Sequence, residues 1–129
     1  MHVSYQMDPA RQKANEEAVV NMFKILAESG KLVKISELDM GIDDAAGQPI
    51  KTENLTEEQH KAMSAYYKFI ISKYFEIIPQ AQQYGICQWC ITDAPANSGW
   101  RGGSPVGLWD QNYNRKHAYA GFADGLSGK

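Results

Sequence analysis

Glu37 closes a short apolar run, Lys31-Leu32-Val33-Lys34-Ile35-Ser36-Glu37-Leu38, whose β-branched character reads as a strand buried on both faces. Side chains alternate along a strand, so Val33, Ile35 and Glu37 are expected on one face and Leu32, Lys34, Ser36 and Leu38 on the other. A carboxylate at the C-terminal end of a parallel strand reaches the rim where α/β folds assemble active sites. The plainer alternative is a strand-end charge that caps a helix or pairs with a lysine. A second run, Ile86-Cys87-Gln88-Trp89-Cys90-Ile91, ends the same way, with Cys87, Trp89 and Ile91 on one face and Asp93 just beyond. Two such strands side by side deliver Glu37 and Trp89 to one rim. The spacing Cys87-x-x-Cys90 also fits a redox pair, but redox motifs open a helix, whereas an extended strand aims the two thiols to opposite faces. Two cysteines are too few for a disulfide scaffold, and too few for structural zinc unless histidines join them.

The elements that must position these residues alternate. Asp8-Pro9 supplies an N-cap and a first-turn proline, and Val19, Val20, Phe23, Leu26 and Ala27 then recur at helical spacing until Gly30. The strand ending at Glu37 follows directly. Residues 41–55 are rich in Gly, Asp, Asn and Pro and read as a loop, which Thr56-Glu57-Glu58-Gln59 ends with a capping box. The next helix carries an apolar stripe of Met63, Tyr66, Tyr67, Ile70, Ile71, Tyr74, Phe75 and Ile78, expected to be core. Pro79 marks its end, and Gly85 precedes the second strand. A long loop over residues 92–114 leads to a short last helix through Ala118, Tyr119, Phe122 and Leu126, with Trp109 packing against it. Met1-His2-Val3-Ser4 makes a third strand. Helices alternating with short apolar strands imply crossovers and a parallel sheet, so the fold class is α/β. Three strands are few for so much helix, and the sheet is expected to be incomplete.

With 129 residues, 43% of them hydrophobic and 22% charged, the chain has the make-up of one domain or part of one. A net charge of -2 and the lack of any long basic run exclude nucleic acid and anionic membranes as natural partners. No apolar stretch approaches the roughly 20 residues that span a bilayer, and no basic region followed by an apolar run stands at the N-terminus.

Four ordered motifs carry a resemblance. Ile35-Ser36-Glu37-Leu38-Asp39-Met40 resembles the nucleophile strand of the family 10 glycoside hydrolases, endo-β-1,4-xylanases whose seventh barrel strand reads I-T/S-E-L-D. Residues 86–93 are similar to that family's eighth strand, I-T-V-W-G-V-T-D, and Trp100-Arg101 to the W-R that follows it. PVGLWDQNYNRKHAY, residues 105–119, is similar to the closing P-L-L-F-D-x-x-Y-x-P-K-P-A-Y, and Met1-His2 matches the sixth strand, Q-x-H, without its glutamine. The departures are Gln88 and Cys90 for an apolar residue and a glycine, Arg115 for a proline, and Lys34, a charge on a face expected to meet helices.

The resemblance implies the C-terminal portion of a (β/α)8 TIM barrel, incomplete in this chain, with residues 1–129 forming one partial catalytic domain of about the last three βα units. The implied activity is retaining hydrolysis of β-1,4-xylosidic bonds in xylan or xylo-oligosaccharides, without metal or cofactor. Glu37 is then the nucleophile, and His2, Trp89, Trp100 and Arg101 the substrate-binding set. His2 is its implied partner, since a nearby positive charge keeps a nucleophilic carboxylate ionised. Trp89 and Trp100 would offer aromatic planes to the C–H face of a sugar ring. Asp39 and Asp93 are expected to support or cap. The family's acid/base glutamate lies on strand four, and no carboxylate here matches its motif, so the isolated chain is expected to be inactive. A non-catalytic xylan-binding fragment is the competing reading. The parent enzyme is expected to be secreted or periplasmic, and the fragment to self-associate or pair with the missing barrel half.

Overall fold

The computed structural model describes residues 1–128. In chain order the elements are β1 (His2–Gln6), α1 (Pro9–Glu28), β2 (Val33–Asp43), α2 (Glu57–Ile77), β3 (Gln83–Gln88) and α3 (His117–Ser127), with 3-10 turns at Thr52–Asn54 and Gln80–Gln82. The three strands form one parallel sheet in the order β1-β2-β3. The starts of α1 and α2 are those the sequence predicts. Asp8 accepts a hydrogen bond from the Arg11 amide at 2.8 Å with Pro9 in the first turn, and Thr56 and Gln59 close a reciprocal capping box at the start of α2.

The strand boundaries differ from expectation. β2 does not end at Leu38 but runs on to Asp43, taking in residues expected to be loop. It continues because its two halves have different partners: residues 33–38 pair with β3, whereas residues 39–43 pair with β1, His2 lying opposite Asp39 and Gln6 opposite Asp43. β3 is shifted the other way, starting at Gln83 and stopping at Gln88 rather than spanning residues 86–91. Its last ladder contact is the Trp89 amide on the Leu38 carbonyl at 2.9 Å, and the next peptide, Trp89–Cys90, is cis. Beyond it the chain leaves β2 for residues 104–109, and the Ile91 carbonyl accepts from the Leu108 and Trp109 amides.

A bulge at residues 36–37 corrects the predicted facing of Glu37. Between two successive pairings β2 advances from Ile35 to Leu38 while β3 advances only from Ile86 to Gln88. One extra residue on β2 reverses the alternation there. Val33 and Ile35 are buried, but so then are Leu38, Met40 and Ile42, and all five belong to one apolar cluster with the helices. Glu37 therefore leaves the face of Val33 and Ile35 and joins the side away from the helices. The same alternation corrects Lys34, which does not meet helices. It is exposed on that open side, its amine 5.9 Å from the Tyr84 ring centroid.

The core lies between the sheet and the helices. α1 contributes Val19 and Phe23, and α2 contributes Met63, Tyr66, Tyr67, Ile70, Ile71 and Tyr74. Phe75 is the exception to the predicted stripe: it is 41% exposed, because the stripe is one position wider than the surface it covers. Two of the buried tyrosines of α2 find partners, as buried hydroxyls usually do, while the Tyr66 hydroxyl has none among the described residues. The Tyr74 hydroxyl donates to the Val33 carbonyl at 2.7 Å and the Tyr67 hydroxyl to the Val106 carbonyl at 3.3 Å. α3 lies against α2 through Gly121 and Gly125, where a Cβ would meet the Ser64 carbonyl oxygen at 1.9 Å and Ile71 at 2.8 Å.

Candidate active site

Because residues 39–43 of β2 run beside β1, the registry His2 opposite Asp39 and Ser4 opposite Gly41 brings two polar rows together on the open side. The bulge adds Glu37 to that row. His2 Nε2 stands 3.4 Å from Glu37 Oε2, and His2 Nδ1 stands 3.1 Å from Asp39 Oδ1. One imidazole thus links two carboxylates of unlike exposure. The Glu37 side chain keeps 47% of its surface, while Asp39 keeps none.

Asp39 has its cover from the loop after β3. The Trp100 indole donates to Asp39 Oδ2 at 2.8 Å, and the Trp100 ring meets the His2 ring edge-on with centroids 4.7 Å apart. Arg101 follows with Nη1 3.9 Å from Asp39 Oδ1, and it donates to the Val3 carbonyl at 2.9 Å. Asp39 Oδ1 lies near His2 and Arg101 but has no aligned hydrogen-bond donor among the described residues. A buried carboxylate in that position is stabilised by the Trp100 bond and by the Arg101 guanidinium nearby.

Of the residues singled out from sequence, Glu37, His2, Trp100 and Arg101 come together in this cluster. Trp89 reaches the same rim through its backbone contact with Leu38 and leaves its side chain half-exposed. Asp93 does not join them. It is fully buried, accepts from the Gly107 amide at 3.1 Å, and pairs with Lys116, whose amine also donates to the Pro105 and Gly107 carbonyls at 2.9 and 3.0 Å. This pair closes the long loop onto the start of α3. Burial holds the Asp93 carboxyl above the usual range even beside Lys116, and burial likewise holds the Lys116 amine below its own. Trp109 packs against α3 as expected, its ring 5.1 Å from that of Tyr119.

Asp39 is the residue whose weight sequence reasoning underrated. Its signal was available, since two residues past Glu37 on one strand is the same face. Gly41 and Lys51 carried no signal. Lys51 donates to the Gly102 carbonyl at 2.7 Å and latches the loop after β2 to the loop that carries Trp100.

Known proteins share this arrangement of sequence and fold. The sequence model of Glycosyl hydrolase family 10 matches residues 1–125. The endo-beta-1,4-xylanase Xyn10C of Cellvibrio japonicus is 31% identical over 141 residues, covering 98% of this chain and 23% of that protein. The solved structure of native xylanase 10C from Cellvibrio japonicus superposes with a TM-score of 0.77 at 31% identity, covering 100% of this chain and 28% of that one. A mutant of that xylanase, solved in complex with xylopentaose, matches with a TM-score of 0.75 at 30% identity over 100% of this chain and 26% of that one. The chain spans about a quarter of the length of these relatives.

Proposed function

The chain belongs to glycosyl hydrolase family 10, and on that premise we propose that it is the part of a retaining endo-1,4-β-xylanase that carries the nucleophile, Glu37. β1, β2 and β3 are then strands six, seven and eight of a TIM barrel. The observation that carries this reading is the Glu37–His2–Asp39 constellation, with contacts of 3.4 and 3.1 Å and one exposed carboxylate. A retaining glycosidase needs two carboxyl groups about 5–5.5 Å apart, one to attack the anomeric carbon and one to protonate the leaving oxygen. Glu37 is the attacker, open to a sugar on one side and facing His2 on the other. Asp39 is fully buried and bound to Trp100, so it orients His2 and takes no proton from the substrate. Trp100 walls the site beside His2, and the half-exposed Trp89 is its floor. The substrate is xylan or a xylo-oligosaccharide. Xylan is a polymer that does not cross a membrane, so the complete enzyme, acting on xylan, works outside the cytoplasm.

The acid/base carboxylate has no counterpart among the described residues of the site. A chain extended upstream to include a strand bearing that group is expected to release reducing sugar from xylan, and Glu37→Ala is expected to abolish the release. If the extended chain and its Glu37→Ala variant both bind xylan without cleaving it, the sugar-binding reading replaces this one.

A further inference from the structure

We infer, building on the family reading above, that Arg101 is a positioning residue and Gly41 the slot it requires: the guanidinium, laid across Gly41 and tied to β1, holds Trp100 as the wall beside Glu37. Four features of the site point to this. Arg101 has a φ of +46, in the left-handed region that residues bearing a Cβ seldom adopt and keep only where their surroundings impose it. Its guanidinium is largely buried, and Nη1 donates at 2.9 Å to the carbonyl of Val3, 98 residues away in sequence. The passage to that carbonyl runs over Gly41, where a Cβ would come within 2.6 Å of Nη1 and 3.2 Å of Ser4 Oγ. No other residue type leaves that space open. Finally, Trp100 precedes Arg101 directly, and its indole contact to Asp39 at 2.8 Å and ring contact to His2 at 4.7 Å depend on where the loop is set down.

A guanidinium used this way acts through Trp100 rather than through the sugar. Arg101 donates to a backbone carbonyl, which offers no charge to neutralise, and its nearest carboxylate already receives Trp100. Geometry at both ends is fixed by parts that do not themselves touch Glu37. The arrangement joins the loop after β3 to β1 across the full width of the sheet.

The test reads Trp100 by itself. The chain has three tryptophans, so a 15N-labelled sample gives one indole signal for each, and Trp100→Phe assigns the one of interest. Arg101→Met and Gly41→Ala are each expected to shift that signal and to speed its exchange with water about tenfold, the change that loss of one anchoring hydrogen bond brings to a local opening equilibrium. The Trp89 and Trp109 signals and the melting curve are expected to hold. The double variant is expected to behave like either single one, because both remove the same contact. An unmoved Trp100 signal in either single variant overturns the proposal. So does movement of all three signals together with loss of the melt, which makes Arg101 a general stabiliser. Titrating xylopentaose into the same samples separates this from the family reading. A parent chain that binds no xylopentaose, yet frees Trp100 in Arg101→Met, keeps the positioning role, while an extended chain that cleaves no xylan removes the xylanase reading alone. Weaker xylopentaose binding in Arg101→Met with Trp100 unmoved makes Arg101 a direct sugar contact and overturns the proposal.

Discussion

Lys116 and Asp93 illustrate how a charged residue can serve structure alone. Burial disfavours the charged form of both groups and their mutual attraction works against it. Cutting one partner leaves the other buried and alone. Lys116→Met is accordingly expected to lower the unfolding free energy by about 3–5 kcal/mol, read from urea melts. Changing Asp93 to Leu in the same chain is expected to recover part of that loss, since the Gly107 amide and the Pro105 and Gly107 carbonyls still lack these bonds. Glu37, by contrast, is half-exposed with one imidazole beside it, so Glu37→Ala is expected to shift the urea midpoint little. Two carboxylates of the same kind thus separate into one that the fold needs and one that it can spare.

The α2–α3 pair is where the fold depends on close approach. At Gly121 an added Cβ would lie 1.9 Å from the Ser64 carbonyl oxygen, which is backbone and cannot swing away. Alanine is the better helix former by about 1 kcal/mol, but overpacking costs about 1–3 kcal/mol and more where backbone must move. Gly121→Ala is therefore expected to destabilise, again by urea midpoint, against the propensity trend. The same helix junction responds to acid. His60 on α2 faces His117, Lys116 and Arg115 at the start of α3, with Asp93 behind Lys116. Burial, and then the Lys116 charge, depress its pKa below the ordinary 6.5. The unfolded chain consequently binds a proton at this site more readily than the folded one. Its contribution to stability is full above pH 6.5 and is lost as pH falls from there toward the lower folded value. His60→Asn is expected to flatten the fall in melting temperature across that window. Asp93 works in the opposite sense at lower pH, since an elevated carboxyl pKa favours the folded state on acidification.

Over the whole molecule, the sheet has two open sides. β1 is an edge strand, and beside it lies a groove of about 400 Å³ lined by Met1, Val3, Ala18, Val19, Met22 and Tyr66 among others. Tyr84 and Ile91, 65% and 66% exposed, lie in and after β3 at the other edge. Unpaired edges with apolar flanks recruit strands from other chains. The 129-residue chain is therefore expected to self-associate in sedimentation at micromolar concentration, and a sharp monomer boundary would contradict this. It is also expected to turn over no aryl xyloside, since one exposed carboxylate cannot divide the work of nucleophile and acid. Efficient release of the aryl group would sink that expectation. The fold class and the starts of α1 and α2 were legible in sequence, because caps and apolar periodicity are local properties that a linear chain displays, whereas the closeness of His2 to Glu37, met at 3.4 Å, was only what the resemblance implied. The length of β2 was not legible, because its second half is a strand only by virtue of β1 beside it. Nor was the bulge at residues 36–37, which turns Glu37 from the face of Val33 and Ile35 to the side of His2. Sequence by itself thus determined which groups could do chemistry. Only tertiary structure decided which way they point, since strand register and the space over Gly41 are set by partners distant in the chain.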